Sequence, residues 1–191
     1  MEPETGEVTR LLHAWHAGDE AAYRQVSAML YDELRRQAAR CMRGERPGTS
    51  LEATALVHET FLRLAGAGKV GWDDRKHFLA IAGRTMRRVL VDLVRAKAAG
   101  KRGARIQPVP LDSRVAANDP PVVDLIALDE ALDALAAFDP RKARVIELRF
   151  FGGLTVEETA DVLEVAPDTV ARDWRLARTW LLRQLEPHNS A

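Results

Sequence analysis

The stretch Thr155–Leu185, TVEETADVLEVAPDTVARDWRLARTWLLRQL, reads as a short helix, a tight turn and a long helix. Thr155 followed by Glu158 is a capping box, in which two side chains satisfy N–H groups that a helix start leaves unpaired. Val156, Ala160 and Leu163 then share one face at helical spacing. Val165 follows the turn, and Pro167 suits the first position of the next helix, where a missing N–H costs nothing. In that second helix Val170, Trp174, Ala177 and Leu181 make one apolar stripe at i, i+4, i+7 and i+11. Asp168, Arg172, Arg175 and Thr179 lie on the reverse side, with Thr169 at its edge. The unit is a helix-turn-helix, whose second helix is shaped for a DNA major groove. Arginines near the start of such a helix pair with guanine edges or phosphates. The competing reading is two amphipathic helices with a solvated charged face.

Outward from this unit the periodicity predicts helices alone. Val8–Ala17 is short and stopped by Gly18, and Asp19 caps a long helix over Glu20–Arg43 with Tyr23, Val26, Leu30, Leu34 and Ala38 inside. Gly44–Gly48 is a turn, and Thr49 with Glu52 opens a third helix to about Leu64. Gly66, Gly68 and Gly71 make a loop ending at Trp72. Asp73 or Asp74 caps a helix to about Ala99, with Phe78, Ala82, Thr85, Val89 and Leu93 inside and Arg84, Arg88, Val91 and Arg95 as a basic row beside Arg87. Further helices are expected over Val122–Phe138 and Pro140–Phe151. The fold class is all-α, with no strand of useful length. Two small helical domains, residues 1–103 and 122–191, are joined by a flexible linker over 104–121 that is rich in Gly and Pro.

Formal net charge is zero over 191 residues, but it is unevenly spread. Between Arg84 and Arg105 eight basic residues face Asp92 alone, and between Leu111 and Asp139 seven acidic residues face Arg114 alone. Blocks of this kind meet partners. Cys41 is the only cysteine, which excludes an intrachain disulfide and fits a reducing cytoplasm. The acidic opening MEPETGEV has no apolar core for a signal peptide, and no run reaches the roughly 20 apolar residues of a membrane span.

No constellation for catalysis is found, so the chain is not read as an enzyme. His58-Glu59-Thr60-Phe61-Leu62 starts like a zinc-protease motif but has Leu62 where the second histidine belongs. His13, His16, His58, His77 and His188 have no ligand spacing with Cys41 or each other, so no metal is expected. Gly44–Thr49 lacks the Gly-Lys-Ser/Thr of a phosphate loop, and neither a nucleophile elbow nor a Rossmann fingerprint occurs. No cofactor is implied.

The whole pattern resembles bacterial RNA polymerase sigma factors of the extracytoplasmic-function type. Asp139-Pro140, Leu148-Arg149-Phe150, Gly153-Leu154-Thr155, Glu158-Thr159-Ala160, Thr169-Val170, Trp174 and Ala177-Arg178 follow the order of that family's region four. Ala55-Leu56-Val57-His58-Glu59-Thr60-Phe61-Leu62-Arg63 resembles the helix of region two that docks on the polymerase clamp, with Ala55 and His58 in place of Asp and Gln. Glu52, Leu56, Glu59 and Arg63 form the most polar stripe of that helix. The resemblance implies that they bind core polymerase.

It also implies that Arg75–Ala99 melts and reads the minus-ten element. Arg84, Arg87, Arg88 and Arg95 would hold the phosphates of a displaced strand, and Trp72 either stacks on a flipped base or anchors its loop. Region four would read the minus-thirty-five element through Thr169, Arg172 and Arg175, with Asp168 and Thr179 on the same face. Ala166 stands where the family often has a serine that caps the recognition helix. The expected partners are core RNA polymerase and promoter DNA, with an anti-sigma factor or other protein regulator as a further candidate. Two rival readings stay open: a stand-alone helix-turn-helix regulator that binds duplex DNA without polymerase, and a protein-interaction module that never binds DNA. The basic row on a second domain favours a sigma factor over the first rival. Co-purification with core polymerase separates the sigma reading from both rivals.

Overall fold

The computed structural model describes residues 5–42, 49–66, 71–100, 109–110, 122–123 and 125–186. The elements are α1 (Thr5–His16), α2 (Glu20–Cys41), α3 (Thr49–Gly66), α4 (Arg75–Gly100), α5 (Leu125–Phe138), α6 (Pro140–Ile146), a π-helical turn (Glu147–Phe151), α7 (Val156–Leu163) and α8 (Pro167–Leu185). Val109–Pro110 and Val122–Val123 pair antiparallel as β1 and β2. The all-α class holds. The expected turn at Gly44–Gly48, the loop at Gly68 and most of the linker over 104–121 lie outside the described residues.

Local chemistry sets the helix ends. The Asp19 carboxylate accepts from the amides of Ala21 and Ala22 at 2.8 and 3.1 Å, which starts α2. Of the two candidates ahead of α4, Asp74 is the cap: its carboxylate accepts from the His77 amide at 2.8 Å. Asp139 does the same for Lys142 and Pro140 follows it, so α5 and α6 meet at a sharp boundary. The sequence predicts one helix over Pro140–Phe151. It instead widens after Ile146, and the Gly152 amide donates to Glu147, five residues back, at 3.0 Å.

Helices α1–α4 pack around Val26, Leu30, Leu34, Leu56, Phe78, Met86 and Val89, all fully buried. Helices α5–α8 pack around Leu128, Leu132, Leu135, Leu148, Ala177 and Leu181. The inner face of α4 differs from the expected stripe at two positions. Thr85 is only half-buried and Leu93 is exposed, while Leu79, Met86 and Leu90 fill the core. The helix is packed on two sides, so its buried arc is wider than one stripe.

The second side of α4 carries the other half of the chain, and the two cores are continuous. The π turn lies on α4 at Gly83, where a Cβ would come within 2.5 Å of the Gly152 nitrogen. Such an approach of two backbones requires glycine. Gly153 continues with φ +72°, facing the Gln37 amide oxygen of α2. Gln37 and Cys41 both donate to the Phe150 carbonyl, the thiol at 3.6 Å.

Candidate nucleic-acid and polymerase interfaces

The helix-turn-helix forms as its sequence dictates. The Thr155 hydroxyl accepts from the Glu158 amide at 3.1 Å, and the Glu158 carboxylate accepts from the Thr155 amide at 2.8 Å. Glu164 adopts the left-handed conformation at φ 54°, which reverses the chain, and the Val165 amide donates to Ala160 at 3.0 Å. Val170, Ala177 and Leu181 are fully buried, and Val170 meets Val145 and Ala160 beneath the turn. Ala166 makes no side-chain cap for α8.

With that stripe inside, the opposite face of α8 is open. Asp168, Arg172, Arg175 and Thr179 are exposed and Thr169 is at the boundary, so the five candidate residues for the upstream element share one surface. The Thr179 hydroxyl donates to the Arg175 carbonyl at 2.9 Å, which turns it back onto its own helix. Trp174 was expected to be a full core residue. It is half-buried at the rim, with the Arg149 guanidinium 4.5 Å above its ring. Asp173, by contrast, is buried and accepts from Arg141 Nε at 2.7 Å, tying α8 to α6. The spacing of Val170, Asp173 and Ala177 at i, i+3 and i+7 carried that signal.

The arginines of α4 do not form one free row. Arg88 is exposed, and Arg84 and Arg95 are about half-exposed. Arg87 was expected on the same DNA-facing surface, but its side chain is only 11% exposed. It donates to Asp129 Oδ1 at 2.8 Å, Glu147 Oε1 at 2.9 Å, Asp133 Oδ1 at 2.6 Å and the Asp129 carbonyl at 2.9 Å. Burial alone would push this guanidinium's pKa down; the surrounding carboxylates outweigh that and hold it above its ordinary value. Arg84 and Arg95 lean on the same acids, Glu147 at 3.6 Å and Asp129 at 3.5 Å. Arg84, Arg87, Asp129, Asp133 and Glu147 line a cleft of about 710 Å³ between α4 and α5–α6, together with Arg141 and Arg144.

Trp72 is 4% exposed. Its ring stacks on Trp15 at 5.0 Å and meets the edge of Phe78 at 5.3 Å. The ring is enclosed, so in this structure it is an anchor and presents no open face to a base.

On α3 the expected stripe is corrected at Leu56, which is fully buried because its side chain faces the core. The Glu52 side chain lies outside the described residues. Glu59 and Arg63 do lie outward, paired at 3.1 Å, and Arg63 reaches Asp92 of α4 at 2.9 Å. Sequence reasoning missed the rest of the outward face, Ala55, His58 and Leu62, although their spacing with Glu59 at i, i+3, i+4 and i+7 marks it. Leu62 is 64% exposed. With His58, Phe61, Tyr23, Ser27, Ala28 and Tyr31 it lines an apolar groove of about 380 Å³. Among the described residues no cluster of His, Cys, Asp and Glu could hold a metal, and no helix is long and apolar enough to cross a membrane.

The family model for ECF sigma factors matches residues 5–187, which takes in every described helix. No curated protein matches the chain.

Proposed function

The chain belongs to the ECF sigma factor family and is a sigma factor of transcription initiation; within that role we propose that its two helical domains divide the promoter between them. Residues 122–191 read the minus-thirty-five element as duplex, with α8 in the major groove. Residues 1–103 capture the melted minus-ten element along α4. The observation that carries this reading is the open face of α8, where Arg172 and Arg175 stand opposite the buried Val170, Ala177 and Leu181. Arg172 lies near the helix start, where base edges are met, and Arg175 one turn on reaches a base or the backbone. Thr169 contacts a phosphate. On α4, Arg84, Arg88 and Arg95 neutralise phosphates of the displaced strand.

Core polymerase docks on the outward face of α3. Glu59 and Arg63 supply the charge, and the groove at His58 and Leu62 supplies apolar area; Ala55 and His58 replace the two polar groups common in the family. The site of action is the cytoplasm, and the chemistry of RNA synthesis belongs to the polymerase. Affinity capture on purified core polymerase tests the docking. Replacing Glu59 and Arg63 together with alanine weakens capture while helix content stays constant. Undiminished capture would move the interface elsewhere, and no capture of the unaltered chain would remove the reading.

A further inference from the structure

We propose that the free protein is held closed by a latch in which Asp129, Asp133 and Glu147 occupy the phosphate-binding arginines of α4, so that the two halves must separate before a DNA strand can enter. The competition part rests on the reading of α4 as a strand-binding helix; the latch itself does not.

The latch has three parts. The first is Arg87, whose guanidinium directs every hydrogen bond described for it at α5 and the π turn. Carboxylate and phosphate oxygens fit the same planar fork, so a carboxylate cluster occupies an arginine as a phosphate would. Arg84 and Arg95 lie within 3.6 Å of the same acids. The second part fastens the other end of α4. Arg75 bridges Glu33 of α2 at 2.5 Å and Glu158 of α7 at 2.9 Å, and Lys76 pairs with Asp161 of α7 at 2.9 Å. Glu158 is also the capping-box residue of the helix-turn-helix, so this clasp holds the DNA-reading unit directly. The third part is the backbone seat between them, where Gly83 meets Gly152 and the Phe150 carbonyl is held by Gln37 and Cys41.

A seat rimmed by ion pairs is reversible: salt screens the rim, and phosphates compete for it. Opening would release Arg87 to join Arg84, Arg88 and Arg95 on one helix face. The basic and acidic blocks of the sequence thus satisfy each other in the closed protein.

Cys41 makes the latch measurable in the full chain. It is the only cysteine, it is fully buried under the π turn, and burial pushes its thiol up to about 12. A thiol that is both covered and protonated reacts with N-ethylmaleimide at pH 8 only through opening. Neutralising the acidic side with Asp129→Asn and Asp133→Asn leaves every proposed DNA contact intact. It should speed labelling by about tenfold, equivalent to about 1.4 kcal/mol taken from the closed state. It should also raise the radius of gyration in small-angle scattering, with unchanged far-ultraviolet circular dichroism. Gly83→Val should do the same by a different route. Unchanged labelling and radius in both folded variants would overturn the latch. Binding of a fluorescein-labelled single-stranded oligonucleotide should tighten in the Asp129→Asn, Asp133→Asn variant. Faster labelling without tighter binding would keep the latch and overturn α4 as the strand-binding helix.

Discussion

Gly83 of α4 and Gly152, which follows the π turn, touch backbone to backbone, so closely that a Cβ on the first would lie 2.5 Å from the nitrogen of the second. A glycine inside a helix costs about 1 kcal/mol against alanine. Its presence inside α4 is explained by this contact. Gly83→Ala therefore sets a propensity gain against a backbone clash, and overpacking costs about 1–3 kcal/mol. Chemical denaturation should show net destabilisation. A more stable variant would mean that the two glycines do not meet in solution.

On α8 the residue proposed to read DNA and the residue that packs can be tested separately. Arg172→Ala should relax preference at one base pair, because a bidentate arginine–guanine pair contributes about 1–3 kcal/mol of discrimination. Trp174→Ala should instead destabilise the fold and lower its melting temperature, at a cost below the roughly 3–5 kcal/mol of an enclosed tryptophan because this one is only half-buried under Arg149. Transcription from a panel of upstream variants, with thermal melts of both proteins, checks the pair. Equal loss on every variant would make Arg172 a phosphate clamp.

The two ends of the turn make opposite predictions. Thr155→Ala removes a hydroxyl that caps α7 and should cost about 1 kcal/mol. Ala166→Ser supplies the cap that α8 lacks and should add up to about 1 kcal/mol. Urea titration of both variants measures each change, and a neutral Ala166→Ser would place the α8 start outside capping geometry.

Much of this was legible beforehand because it is local. Capping boxes, proline at a helix start and apolar periodicity act within a few residues, so α7, α8 and their faces could be read directly. The faces of α3 and α4 were read less well. A helix packed on two sides buries more than one stripe, which is why Leu56 and Met86 turn inward, while Leu93 lies outside the packed arc. The charge asymmetry was visible, but that Arg87 finds Asp129 and Asp133 depends on how the halves dock, which no local rule contains. Trp72 followed the same logic: an aromatic in a glycine loop suits a base or an anchor, and only Trp15 and Phe78 beside it decide.

The remaining arginines of α4 should act on separated strands. Alanine at Arg84, Arg88 or Arg95 should each lower the salt slope of single-strand binding by about 0.7. Holoenzyme carrying these variants should lose more activity on fully duplex promoters than on pre-melted ones, where opening is already done. Equal losses on both templates would assign these arginines to duplex binding.

Run-off transcription by purified core RNA polymerase on a genomic fragment library, with and without the chain, is the most direct test of its role at promoters. Discrete start sites should appear only when the chain is present, and they should share one upstream and one downstream element at fixed spacing. Transcription that does not change when the chain is added, together with tight duplex binding in the absence of polymerase, would contradict it.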